Sequence, residues 1–159
     1  MIPVGGTKTN RKRQVENETP VAFLATLSVH AENLGANQNI AFDNVITNVG
    51  NAYNSHAGVF IAPVSGIYVF STSILSYRSS QSHVEIRKNG SLVTRMSYRG
   101  ENSNGHDTTG STVTIQLSKG DDVAVVNGNP DKNVNGEHYS SITGFLLQEL
   151  YDESAVVGR

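Results

Sequence analysis

Apolar residues in this chain alternate with polar ones far more often than they recur every three or four positions. Val21–Val29 (VAFLATLSV) puts Val21, Phe23, Ala25 and Leu27 on one face and Ala22, Leu24 and Thr26 on the other, the two-residue period of a strand. Ile40–Phe42, Gly58–Ile61 and Gly66–Leu75 read as further strands, as do Thr112–Leu117, Val123–Asn127 and Tyr139–Leu150. The stretch HVEIRKNGSLVTRMSY is centred on Asn89-Gly90, a strong hairpin signal because both residues tolerate the positive φ of a type I′ turn. No long segment carries an apolar stripe of helical period. About eight to ten strands without a major helix predict a sandwich or jelly roll.

The strand Gly66–Leu75 (GIYVFSTSIL) says more. Tyr68, Phe70, Thr72 and Ile74 point one way, and Ile67, Val69, Ser71, Ser73 and Leu75 the other. Both faces begin apolar, so cover is expected on both sides. One side faces the sandwich interior. With no helices to cover the second, another copy of the chain is the simplest cover. Pro63 and Gly66 mark the turn before the strand.

Composition narrows the class. The 159 residues read as one domain, a size that buries about 68–70% of the unfolded surface without metal or disulfide. There is no cysteine, hence no thiolate zinc site and no cysteine nucleophile. A net charge of −2 with 16% charged residues argues against nucleic acid as a partner. No apolar run approaches the roughly 20 residues needed to span a bilayer, so no membrane insertion is expected. Residues 1–20 are polar, contain the basic run Arg11–Arg13, lack the apolar core of a signal peptide, and read as a flexible leader. The domain is then 21–150, with 151–159 as a tail.

Catalytic patterns are missing from the sequence. The five histidines stand at 30, 56, 83, 106 and 138, without zinc-ligand spacing. Gly110-Ser111-Thr112 leads into an ordinary strand and not a nucleophile elbow, and there is no Walker loop. No enzyme is expected. The loop NGNPDKNVNGEH carries Asp131, Asn133, Asn135 and Gly136 like the first half of an EF-hand, but the twelfth position is Ile142, which should be a bidentate Glu. A turn-rich loop whose Asx side chains bond the backbone is the better reading. Asn17-Glu18-Thr19 and Asn89-Gly90-Ser91 are glycosylation sequons, the first disfavoured by Pro20.

From Phe42 the aromatic spacing continues through Asn48, Tyr53, Phe60, Gly66, Tyr68 and Phe70. This resembles the signature of the C1q globular domain in seven of eight positions; the eighth, normally aromatic, is Thr72. Tyr53-Asn54, Gly58, Phe60 and Pro63, then Gly120, Asp121 and Val123, then Gly144-Phe145-Leu146-Leu147 are similar to further family passages, and the likeness covers roughly 21–148. It implies an all-β, ten-strand jelly-roll sandwich of the C1q/tumour necrosis factor type, assembled as a homotrimer. It also implies a secreted, extracellular, non-catalytic module.

In several trimeric members calcium sits near the threefold axis, held by acidic residues of one apical loop. The matching stretch is SYRGENSNGHDTTGSTV, in which Asp107 falls at one ligand position and Arg99 at the other. A cation replacing an anion 4 Å from the metal changes the interaction by several kcal/mol, at an effective dielectric of about 20. Three arrangements stay open: calcium at Asp107, Arg99 paired with Asp107 or Glu101, and three Arg99 copies gathering an anion such as a carboxylate sugar. Ligand contacts are expected from the loops 99–107 and 128–138, through Arg99, Glu101, Asp131, Asn133 and His138. The resemblance to single-module members without a collagen stalk implies a lectin-like innate-immune protein binding glycans or other anionic surface ligands. The alternatives are a cytokine-like or synaptic-organiser-like ligand for a cell-surface receptor, and an extracellular matrix or mineralisation protein.

Overall fold

A computed structural model describes residues 19–76, 81–99 and 105–151. The leader and tail read from the sequence fall outside these residues except for Thr19, Pro20 and Tyr151. In chain order the strands are β1 (Ala22–Thr26), β2 (Ala31–Leu34), β3 (Asn44–Val49), β4 (Tyr53–Asn54), β5 (Val59–Ile61) and β6 (Gly66–Leu75). Then come β7 (Ser82–Lys88), β8 (Ser91–Tyr98), β9 (Thr108–Leu117), β10 (Asp122–Asn127), β11 (Lys132–Val134) and β12 (Ser141–Glu149). One five-stranded sheet runs β3-β1-β12-β6-β9 and the other β4-β5-β10-β7-β8; β11 and β2 form a separate ribbon. Every pairing is antiparallel. This is the ten-strand jelly roll, with no helix among the described residues.

The aromatic spacing becomes one packed cluster between the sheets. Phe60 stands 5.4 Å from Tyr68 and 5.1 Å from Phe70, both edge-on, and stacks on Phe23 at 5.4 Å. Phe23 in turn stacks on Tyr53 at 4.7 Å. These offset and edge contacts suit the ring quadrupoles. The polar members of the signature serve the same cluster. Asn48 donates from Nδ2 to the Tyr53 carbonyl and accepts the Tyr53 N–H, closing the turn that delivers the ring. Gly66 is needed for close approach, because a Cβ there would lie 2.5 Å from the Gln148 carbonyl oxygen. Thr72, where an aromatic was expected, is buried and donates its hydroxyl to the Ser141 carbonyl at 2.8 Å.

Several elements differ from their expected form. Ile40–Phe42 is not a strand. It is buried coil running on from the edge of β5, with Ile40 N–H donating to the Val125 carbonyl and an isolated bridge joining Asn39 to Val126. The strand instead starts at Asn44. β9 begins at Thr108, ahead of the apolar residues that advertised it, because pairing with β6 continues to Leu75. Asn89 and Gly90 take φ of 48° and 77°, as a type I′ hairpin requires.

Candidate functional site

The ends of β1, β6 and β9 meet the two loops singled out for binding. Ser76, fully buried beyond β6, bridges to Val134 on one side. On the other its N–H donates to the Asp107 carbonyl and its hydroxyl oxygen accepts the Asp107 N–H. Asn135 N–H donates to the Leu75 carbonyl, and Leu75 N–H to the Ser140 hydroxyl. Asp107 of one loop and Val134 and Asn135 of the other are therefore tied to the same end of β6.

The predicted residues separate into three neighbourhoods. Arg99 and Asp107 come together, but through the backbone: Asp107 Oδ2 accepts the Arg99 N–H at 2.8 Å. With Ser97, Gly105 and His106 they line an open recess of about 480 Å³. His106 Nδ1 donates to the Ser76 carbonyl. Glu101 lies outside the described residues. Asn133 is elsewhere, its Oδ1 accepting the Asn33 N–H at 2.7 Å, and the exposed Asp131 lies beside it with φ of 57°. His138 occupies a third place, where Nδ1 shares a hydrogen bond of 2.8 Å with the Thr26 hydroxyl. Glu137 and His138 both have positive φ, at 52° and 65°. Asp43 lies near His138; burial pushes its carboxyl up, but the hydroxyl and N–H of Ser28 outweigh that and hold it below the usual value. Among the described residues no three His, Asp or Glu side chains gather as a metal would require. At the Asn89 sequon, Nδ2 already donates to Asp121 and Oδ1 accepts the Asp122 N–H.

A fourth neighbourhood was not foreseen. On the outer face of the second sheet, Glu85 is only 4% exposed yet charged. Its Oε1 accepts from Arg95 Nε at 2.8 Å and its Oε2 from Arg87 Nε at 2.6 Å, with His83 Nε2 at 3.5 Å. The hydrogen bond from Arg95 leads the forces holding its carboxyl below the usual range, with Arg87 adding to it against the cost of burial. A bulge creates this cluster. The two-residue turn pairs Lys88 with Ser91 and Arg87 with Leu92, but beyond the irregularity Ile86 faces Thr94 and Glu85 faces Arg95. Had the ladder run on unbroken, with Val93 paired to Ile86, Arg95 would oppose core-facing Val84, and Met96 and Tyr98 would turn outward. The available signal was Glu85 and Arg87 two apart on one strand; the bulge had no signal. An open cleft of about 650 Å³ lies elsewhere, beside Asn48, Asn51, Asn54 and His56.

Known proteins agree with this architecture. A C1q domain profile matches residues 22–147. The chain is 35% identical over 136 residues to complement C1q tumor necrosis factor-related protein 3 of Mus musculus, covering 85% of this chain and 54% of that one. It is 34% identical over 131 residues to heavy metal-binding protein HIP of Mytilus edulis, covering 80% and 60%. The chain thus spans little more than half the length of these relatives. Two solved structures share the fold. The globular domain of zebrafish complement 1qA protein has a TM-score of 0.69 at 16% identity, over 82% of this chain and 99% of that one. Eiger TNF from S. frugiperda has 0.70 at 13% identity, over 86% and 98%.

Proposed function

The chain belongs to the C1q domain family, and from that premise we propose that it is a secreted, non-catalytic recognition module that assembles as a homotrimer and binds glycans at the loop end of its sandwich. The observation that carries this reading is the outer face of the first sheet. One cross-strand row there runs Val49, Ala22, Phe145, Val69 and Thr114. Val49 and Phe145 are exposed in the single chain at 44% and 43%, with Leu147 beside them at 57%. Ile67 and Val69, the second face of β6, are only half-covered. Such a face is stabilised by burial against a copy of itself, at about 25 cal/mol per Å² of apolar surface.

Three copies would present three equivalent loop ends. Arg99 and the recess beside Asp107 supply polar groups for a sugar, and multivalency raises a weak single-site affinity through effective concentration. Asp131, Asn133 and His138 supply secondary contacts around the rim. Calcium at Asp107 is the metal-dependent form of this reading.

A second reading is a ligand for a cell-surface receptor. It is favoured by the 35% identity to a protein named as C1q tumor necrosis factor-related, together with the likeness of fold to Eiger TNF. A glycan array probed with and without chelator separates the two. Sugar binding supports the lectin, its loss in chelator assigns the metal, and silence across the array supports the receptor ligand.

A further inference from the structure

We infer that the β7–β8 ribbon carries an anion-binding stripe for acidic glycans, with Arg95 and Arg99 as its principal contacts; this rests on the glycan reading above and names the ligand class. Arg95 and Ser97 project from the same face of β8, with His83 of β7 opposite Ser97; Arg99 follows directly after β8 and lines one recess with Ser97. Glu85, its side chain 5% exposed, uses both carboxylate oxygens to fix the Nε atoms of Arg95 and Arg87. Each guanidinium is thereby oriented by one edge only. Arg87 gives a further donor, Nη2, to Asn37 Oδ1. The Nη groups of Arg95 have no partner among the described residues, and its side chain is 63% exposed. Its donors therefore face solvent in a held geometry, the arrangement that suits bidentate recognition of a carboxylate or sulfate.

The ends of the stripe differ. Asp122 shares a recess of about 250 Å³ with Arg87 and offsets part of its charge, so the binding end is the opposite one. There Arg99 stands four residues beyond Arg95, about 13 Å along the strand at ~3.3 Å per residue. Among the described residues its guanidinium makes no hydrogen bond or ion pair; the residue's bond to Asp107 is through its N–H. At this end Arg95 and Arg99 stand against the carboxylates of Glu85 and Asp107, both of which already accept hydrogen bonds, so the donors left to face a ligand are the two guanidinium groups. A linear polysaccharide with acidic groups at intervals can engage both arginines at once, whereas a neutral sugar gains nothing from them.

The test is biolayer interferometry of the full chain against immobilised heparin, hyaluronan and neutral dextran at low and high salt. Expected is binding to a charged polymer that weakens with salt, and no binding to dextran. Arg99→Gln and Arg95→Gln each weaken that binding roughly tenfold, as loss of a charge-assisted bond predicts. Arg99→Gln keeps the backbone N–H that bonds Asp107, and thermal melts of both variants identify any loss due to unfolding. Heparin binding alone assigns a sulfate ligand and hyaluronan binding alone a carboxylate. Wild-type protein that ignores both acidic polymers, or a well-folded pair of variants that bind like wild type, overturns the stripe. Neutral sugars retained on the array would then leave the loop-end reading standing.

Discussion

Tyr53 shows how one side chain can join two sheets. Its hydroxyl accepts the Phe42 N–H at 3.0 Å and donates to the Phe42 carbonyl at 3.2 Å, while its ring stacks on Phe23. Burial pushes the phenol up to about 12. The neutral form is therefore favoured in the fold; its contribution is fully present below the unfolded value near 10 and is lost as pH rises through 12. Tyr53→Phe should cost ~1–3 kcal/mol at neutral pH by orphaning a buried N–H and carbonyl. In urea titrations, the difference between wild type and variant should hold up to about pH 10 and shrink above it. Glu85 behaves in the opposite sense. Its folded carboxyl is held low, first by Arg95, so its contribution is present above the unfolded carboxylate range and is lost as pH falls below it. Glu85→Gln should flatten the acid limb of the stability profile measured by the same titrations. The aromatic positions were readable residue by residue because spacing alone places them on one face. The bonds of Tyr53 and Glu85 were not, since each partner comes from a segment whose position depends on the fold.

The β7–β8 hairpin illustrates what a strand pattern does and does not contain. Asn89-Gly90 predicted the turn, and the two-residue turn sets Lys88 opposite Ser91. Gly90 has a φ of 77° and open space where a Cβ would be. Gly90→Ala should therefore cost only the left-handed penalty, about 1–2 kcal/mol in thermal or urea unfolding. Deleting Val93 is a different kind of change. It removes the extra residue but leaves Thr94 opposite Ile86, Arg95 opposite Glu85 and Met96 opposite Val84, so Met96 and Tyr98 stay in the core and cooperative unfolding by calorimetry should be retained. For β6, alternation predicted the buried face correctly: Tyr68, Phe70, Thr72 and Ile74 are all buried. Phe70→Ala should cost ~3–5 kcal/mol, because its ring meets Phe60 and Tyr68 within the aromatic cluster and leaves a cavity there.

At the scale of the whole molecule the question is what covers the first sheet. The row through Phe145 and Val69 is apolar at its centre and ends on β9 at Thr114, and in the next row Ser71 and Thr112 share a hydrogen bond of 2.9 Å. Phe145→Glu should leave each chain folded, because that ring lies outside the core, and should reduce the light-scattering mass from three chains of 17.1 kDa to one. A wild-type protein already at the mass of one chain at micromolar concentration would remove the basis for multivalent binding.

The strand expected at Ile40–Phe42 is coil, but the longer strands other than β3, the buried face of β6, the hairpin turn and the aromatic cluster were legible along the chain. Each depends on local period or on φ preference, which a linear string contains. The short strands β2, β4 and β11, the early start of β9 and the bulge in β8 were not legible. They arise from hydrogen bonds offered by neighbours distant in sequence, as Ser76 does in tying Asp107 to Val134. The candidate site divides in the same way. Charge at Arg99 and Asp107 was visible, but their meeting through a backbone N–H, their separation from Asn133 and His138, and the pinning of Arg95 by Glu85 required the folded register. Side-chain chemistry is written in the residue, whereas its direction and its partner are set only when the sheets close.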